Sequence, residues 1–201
     1  MIQENYKKIK NQFSKIIQNT DISTQSVGLN WHEDFIVNLA KIFKPNVYVE
    51  LGLYQCHLFN RIIPFSNKLI GVDINESSGK FMKKSDKTYF LNLRTDEYAE
   101  ELKKNPIEIN MLFIDADHSK ESVIRDFSNF MPFVIPHGII LLHDTHPKDE
   151  NQMKPEYCGT AYEAIEELSK QTEEFEMMTI PIAPGLTICR KRKTQLNWKE
   201  R

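Results

Sequence analysis

Two apolar runs in this chain each end in acidic and imidazole side chains. Met111–Ile114 is followed by Asp115, Asp117 and His118, and Gly138–Leu142 by His143, Asp144 and His146. In an open parallel sheet, neighbouring strands deliver their carboxyl ends to one crevice, where ligands bind. Groups able to hold a cation or move a proton would therefore converge on one small volume. Carboxylate oxygens suit hard divalent cations, and Asp115 and Asp144 arrive from two adjacent strand ends. The His143 imidazole beside them shifts that preference from pure Mg2+ toward borderline ions such as Mn2+, Fe2+ or Zn2+. A hydroxyl next to such an ion loses its proton more easily, and a carboxylate in reach can take it. The spacing of two between Asp115 and Asp117 puts both carboxylates on one side of an extended segment, one for a cation and one for a substrate proton. His118 and His146 are alternative bases, because imidazole titrates near neutral pH.

A second constellation lies earlier, in VYVELGLYQCHL and KLIGVDIN. Glu50 sits at the end of the first apolar run, Gly52 permits a tight turn under a ligand, and Asp73 closes the next run. The step from Gly52 to Asp73 is 21 residues, close to the ~20 of nucleotide-binding βαβ units, where the acid accepts ribose hydroxyls. The loop has one glycine where a dinucleotide fingerprint has three, and no Lys-Ser/Thr follows it. It therefore suits a nucleoside ligand without a pyrophosphate. Nothing in the sequence activates Cys56 as a nucleophile.

The elements that must position these groups follow from periodicity. Apolar residues at helical spacing mark helices at Tyr6–Ile17 and Trp31–Phe43, the second stopped by Pro45. Short apolar runs then alternate with helices: strands at Val47–Leu53, Lys68–Asn75, Thr88–Leu93, Asn110–Ala116 and Gly138–His143, and helices near Gln55–Ile63, Ser78–Lys84, Thr95–Lys104 and Ser119–Phe133. That alternation implies βαβ units and a mainly parallel sheet. After a helix at Thr160–Lys170, the strands Phe175–Ile180 and Leu186–Arg190 are joined by Pro181–Gly185, too short for anything but an antiparallel pair. The polar segment Thr145–Gly159 follows the acidic cluster directly and is placed to cover an acceptor.

Composition narrows the partners. With 26 Lys+Arg against 28 Asp+Glu and a formal charge of −2, the chain has no basic field for nucleic acid. The basic stretch Arg190–Lys193 reads as a solvated strand end. Cys56, Cys158 and Cys189 are odd in number and contain no CxxC pair, so free thiols in a reducing compartment are expected. No signal-peptide core and no apolar run near ~18 residues is present, which predicts a cytoplasmic protein with no membrane partner.

The alternating units, the closing hairpin and the motifs together resemble the class I methyltransferases that use S-adenosyl-L-methionine. The segment Glu50–Cys56 is similar to their motif E-x-G-x-x-x-G, with Cys56 in place of the second glycine. FIDADHSKE, the helix with Asp126, and HGIILLHD resemble a subgroup of small sugar and catechol-type O-methyltransferases (methyltransferase domain 24 type), as do GTAYEAIEEL and PGLTICRK. The resemblance runs over about residues 30 to 192. It implies a Rossmann-like, doubly wound seven-stranded sheet of order 3-2-1-4-5-7-6 with strand 7 antiparallel, over residues 31–193, with an N-terminal helix and connector at 1–30 and a tail at 194–201. It implies cofactor contacts at Glu50, Gly52, Tyr54, Asp73, Arg94, Thr95 and Asp115, and a divalent cation, Mg2+ or Mn2+, on Asp115, His143 and Asp144. The proposed base of the sugar-type enzymes falls on Asp117, with His118 the alternative. The expected partner is a small hydroxylated acceptor, and the N-terminal helix covers the mouth or forms a homodimer contact. Two other readings stay open at this level: a metal-dependent hydrolase using Asp115, Asp117, His143 and His146, and a protein that binds the cofactor without catalysis.

Overall fold

The computed structural model describes residues 30–171 and 173–192, which fall almost wholly in the compact unit His32–Arg201. The helix expected at Tyr6–Ile17 and the tail 194–201 lie outside the described residues. The elements are α1 (Trp31–Phe43), β1 (Val47–Leu51), α2 (His57–Ile62), β2 (Lys68–Val72), β3 (Thr88–Leu91), α3 (Thr95–Lys104), β4 (Ile109–Ile114), α4 (Lys120–Phe130), β5 (Val134–His143), α5 (Ala161–Leu168), β6 (Phe175–Ile180) and β7 (Leu186–Lys191). They form one seven-stranded sheet of order β3-β2-β1-β4-β5-β7-β6, the order expected from the sequence. The first five strands are parallel, and β7 runs antiparallel to both neighbours.

Both faces of the central strands are covered, so the strands are apolar throughout and alternation sorts side chains between two cores. Val49 and Leu51 of β1, Leu112 and Ile114 of β4, and Ile140 and Leu142 of β5 join one core with Tyr98, Phe127, Phe130 and Phe175. Phe127 meets Phe175 edge-on at 4.9 Å. Tyr48 and Glu50 of β1, Met111 and Phe113 of β4, and Leu141 and His143 of β5 alternate with that set. On this second side the Tyr48 ring lies 6.2 Å from Phe59 of α2.

Several elements differ from the sequence reading at their ends. β1 stops at Leu51 because Gly52 turns at φ +84°. The segment Glu76–Phe81 is a 3-10 helix. α4 ends at Phe130, and a 3-10 turn containing Pro132 follows, since proline lacks the N–H an α-helix would need there. β5 begins at Val134 rather than Gly138. Its pairing with β4 jumps from Ile109–Val134 to Met111–Ile139, and a bulge with His137 at φ +64° takes up the extra residues.

The order in which strands are added reverses between β1, which leads outward to β2, and β4, which leads outward to β5. Such a switch point opens a crevice at the carboxyl ends of the strands. Phe130 is fully buried against Tyr98, with ring centroids 5.8 Å apart. Phe130→Ala should cost about 3–5 kcal/mol, read as a lower urea midpoint with an unchanged denaturant slope.

Candidate active site

A cleft of about 910 Å3 opens at this switch point and is lined from every direction by the groups singled out above. One end is walled by the β1 and β2 loops and the start of α3. The other is walled by the ends of β4 and β5, by α1, and by Pro155 and Glu156 of the Thr145–Gly159 segment. That segment folds back on the cluster, with the Thr160 N–H donating to the His118 carbonyl at 3.0 Å and the Tyr157 carbonyl against His118 Nδ1.

The loop after β1 sits where only glycine fits. A Cβ on Gly52 would lie 2.1 Å from the Asp115 carbonyl oxygen, and the Gly52 N–H donates to Val72 at 2.9 Å. Tyr54 and Cys56 also take left-handed backbone, at φ +47° and +55°. Cys56 thus adopts a conformation that favours glycine, at a cost of about 1–2 kcal/mol. Its thiol is buried and donates to the Ser78 carbonyl at 3.4 Å. Burial pushes that thiol up to about 12, which keeps it protonated and inert.

Asp73 holds this loop in place. Its Oδ2 accepts the N–H groups of Leu53 and Tyr54 at 2.9 and 3.1 Å, and its Oδ1 accepts that of Asn75 at 2.7 Å. A carboxylate offers about four acceptor sites, so the loop occupies most of them while the residue faces the cleft. Glu50 is buried on the floor, where the Tyr48 hydroxyl donates to it at 2.6 Å. Burial raises the Glu50 carboxyl well above its ordinary range, against the lowering effect of that hydrogen bond. Arg94 and Thr95 line the same end, but their polar groups are engaged. The Arg94 guanidinium bonds Asp96 at 3.0 and 3.2 Å, and the Thr95 hydroxyl donates to buried Asp126 at 2.7 Å. The Tyr54 side chain is exposed at the rim.

At the other end two carboxylates meet two imidazoles. His143 Nδ1 lies 3.0 Å from Asp115 Oδ1 and 3.3 Å from Asp144 Oδ2. His118 lies 3.1 Å from Asp144 through Nδ1 and 3.4 Å from Asp115 through Nε2. Asp144 is buried in left-handed backbone at φ +59°, which turns it back toward the sheet end. Burial alone would lower the two imidazoles. The paired carboxylates override it, taking His143 up to about 10 and His118 up to about 9. Burial likewise opposes ionisation of Asp115, yet the two imidazoles hold its carboxyl well below the usual range. The site is built to contain positive charge beside Asp115 and Asp144, whether as protons or as a cation.

Ligand atoms from Asp115, His118 and Asp144 lie within 4.8 Å of one another, so these three side chains could hold a divalent cation. The sequence placed His143 third in this set. The geometry brings His118 into that position, and His143 stands beside both carboxylates with its Nε2 buried and without a hydrogen-bond partner. Asp117 lines the cleft outside the cluster. The Ser119 N–H donates to it at 2.8 Å, and that bond holds its carboxyl below the ordinary range. His146 is exposed and does not line the cleft, so the four-residue hydrolase set is not assembled.

One residue was passed over in the sequence. His32, read as an ordinary helix-start residue, is buried on α1, and its ring centroid lies 4.0 Å from that of His143. Burial and then the neighbouring His143 lower it to about 4. The available signal was its position on the apolar face of α1, four residues before Ile36.

Residues 49–145 match the Methyltransferase domain family. That match takes in just under half of the chain, and the strand order is the one that the resemblance to class I, S-adenosylmethionine-dependent methyltransferases implied. Among solved structures, the Bacillus cereus O-methyltransferase in complex with S-adenosylhomocysteine is 10% identical with a TM-score of 0.68, over 90% of each chain. The O-methyltransferase TomG of Streptomyces achromogenes, involved in tomaymycin synthesis and solved with S-adenosylmethionine, is 11% identical with a TM-score of 0.68, over 81% of this chain and 80% of its own. A methyltransferase of Podospora anserina with bound S-adenosylhomocysteine is 14% identical with a TM-score of 0.65, over 81% and 78%. At such identities the likeness is one of fold. No curated protein matches the sequence. Among the described residues no helix is long and apolar enough to cross a membrane.

The raised imidazoles set a pH dependence. Between their ordinary value of 6.5 and their folded values near 9 and 10, the folded state binds more protons than the unfolded one. Stability from the cluster is therefore complete below pH 6.5 and declines as pH rises. In chelator the melting temperature should fall from pH 6.5 to 9, and His143→Asn should flatten that slope.

Proposed function

We propose that this protein transfers a methyl group from S-adenosylmethionine to a hydroxyl of a small polyhydroxylated acceptor, a sugar or related metabolite, with a divalent cation at Asp115 and Asp144. The observation that carries the reading is the meeting, in one cleft, of a nucleoside-type loop with two carboxylates and two imidazoles. The hydroxylated-acceptor assignment rests on that donor set and on the motif likeness noted above.

S-adenosylmethionine supplies the electrophilic methyl group, and a divalent cation, when bound, supplies charge that makes a nearby hydroxyl more acidic. Asp115, Asp144 and His118 would hold that ion, and His143 would orient the two carboxylates. Asp73 and the backbone around Gly52 would hold the nucleoside, with Asp73 accepting from the ribose. Asp117 is the candidate base. Its carboxyl is held below the ordinary range, so it stays ionised at working pH and able to accept the acceptor's hydroxyl proton. His118, raised to about 9, holds a proton at neutral pH unless a cation replaces it. The acceptor oxygen then attacks the methyl carbon in line while the carbon–sulfur bond breaks, a step that gains mainly from positioning.

Asp73→Asn should weaken S-adenosylmethionine binding by roughly 1.5–3 kcal/mol, the scale of charge-assisted hydrogen bonds, with the far-UV spectrum unchanged. An unaltered dissociation constant in calorimetry would remove Asp73 from the nucleoside site.

Asp117→Asn should lower turnover by about 10²–10⁴ and leave Mn2+ and cofactor affinity intact. His118→Ala should instead weaken Mn2+ binding, and EDTA should abolish transfer until Mn2+ or Mg2+ is restored. A silent Asp117→Asn with a turnover-dead, metal-competent His118→Ala would move the base to the imidazole. Full activity in EDTA would remove the cation.

A further inference from the structure

The charges lining the cleft are not evenly spread. Its arginines are Arg94, just before α3, and Arg125 on α4: Arg94 meets Asp96 at 3.0 Å, and Arg125 meets the Ser122 hydroxyl at 3.0 Å and Asp126 at 3.7 Å. No lysine lines the cleft among the described residues. Around the β4 and β5 ends the lining carries Glu33, Asp115, Asp117, Asp144 and Glu156. Asp115 and Asp144 are answered by His118 and His143, or by a divalent cation. Glu33 is bonded by Arg61 at 3.1 Å, but Arg61 is shared with Asp34. Asp117 takes the Ser119 N–H at 2.8 Å and feels the charge of Arg125 from α4. Glu156, on the segment that covers the cleft, has no hydrogen bond or ion pair within the described chain. The lining around the β4 and β5 ends therefore carries five carboxylates against Arg125 and the two imidazoles.

Resting on the O-methyltransferase reading, we propose that the acceptor is a cationic, amine-bearing polyol such as an amino sugar, and that Glu156 is a specificity-determining residue that selects it. A carboxylated or phosphorylated acceptor would meet this end with mostly like charge and no lysine. A protonated amine would find an uncommitted carboxylate, Glu156, lining the same cleft as the cluster that receives the hydroxyl. The discrimination should weaken as salt is added, because the mouth still communicates with solvent.

The test uses three ligands of one ring shape and different charge: the methyl glycosides of glucosamine, glucose and glucuronic acid. With the full-length protein, S-adenosylmethionine and Mn2+, kcat/KM for methyl transfer should fall in that order. The glucosamine and glucuronic acid derivatives should differ at least tenfold at low salt and less at high salt. Saturation-transfer NMR with S-adenosylhomocysteine bound should give the same order without turnover. Glu156→Lys should narrow the amine-to-carboxylate ratio at least fivefold while changing the neutral glycoside less than threefold. A glucuronic acid derivative used as well as the glucosamine derivative, or an unchanged ratio in Glu156→Lys, would overturn the proposal. Failure of all three ligands, with S-adenosylmethionine still bound, would overturn it together with the polyol acceptor. Failure to bind S-adenosylmethionine would strike the function reading itself.

Discussion

The approach of the Gly52 backbone to the Asp115 carbonyl is the contact on which the cleft depends. The two loops that leave β1 and β4 at the switch point pass within a distance that excludes any side chain: a Cβ at position 52 would overlap the Asp115 oxygen at 2.1 Å. This close passage brings the nucleoside-type loop of one strand against the acid that opens the charged cluster of the next. Donor and acceptor ends of the cleft are thereby joined at a single backbone crossing, and the spacing between them is set by main-chain geometry rather than by flexible side chains.

Asp73 extends that constraint to the rest of the loop. Left-handed backbone at Tyr54 and Cys56 is unfavourable for side-chain-bearing residues, and the Asp73 carboxylate supports it by accepting the consecutive loop N–H groups of Leu53 and Tyr54. The cysteine that replaces the family glycine is thus accommodated by a hydrogen-bonded scaffold rather than by conformational freedom. Its buried, protonated thiol fills space under the loop and takes no part in chemistry.

The charged cluster follows a different logic. Two carboxylates close together at a sheet end repel, and taking them out of water adds a desolvation penalty. The structure answers both with imidazoles on either side, and the Phe113 and His32 rings close His143 in at 6.1 and 4.0 Å. Neutral His32 beside raised His143 shows how burial and charge divide two like side chains: one sits against an apolar helix face, the other against acids. The same field that holds protons on His118 and His143 would favour a divalent cation in their place.

Much of this was legible in the sequence because it is local. The strand–helix alternation, the stop at Pro45, the antiparallel closing pair forced by Pro181–Gly185, and the convergence of Asp115 and Asp144 all follow from spacing along the chain and from the rule that parallel strands share an end. The strand order came with the family resemblance, and the sheet has it. What only the tertiary structure decided depends on contacts between distant segments. His32 reaches His143 because α1 packs on the sheet face that β5 shares with Tyr48 and Phe113, a placement no pattern within α1 encodes. The bulge that starts β5 at Val134 depends on its pairing with β4, since Pro136 and His137 read locally as a turn. The grouping of His118 with Asp115 and Asp144 turns on side-chain direction after Ala116, where the strand has ended and alternation no longer applies. Periodicity sets which residues reach the crevice; the packing of helices and loops over the strand ends sets which atoms face one another there.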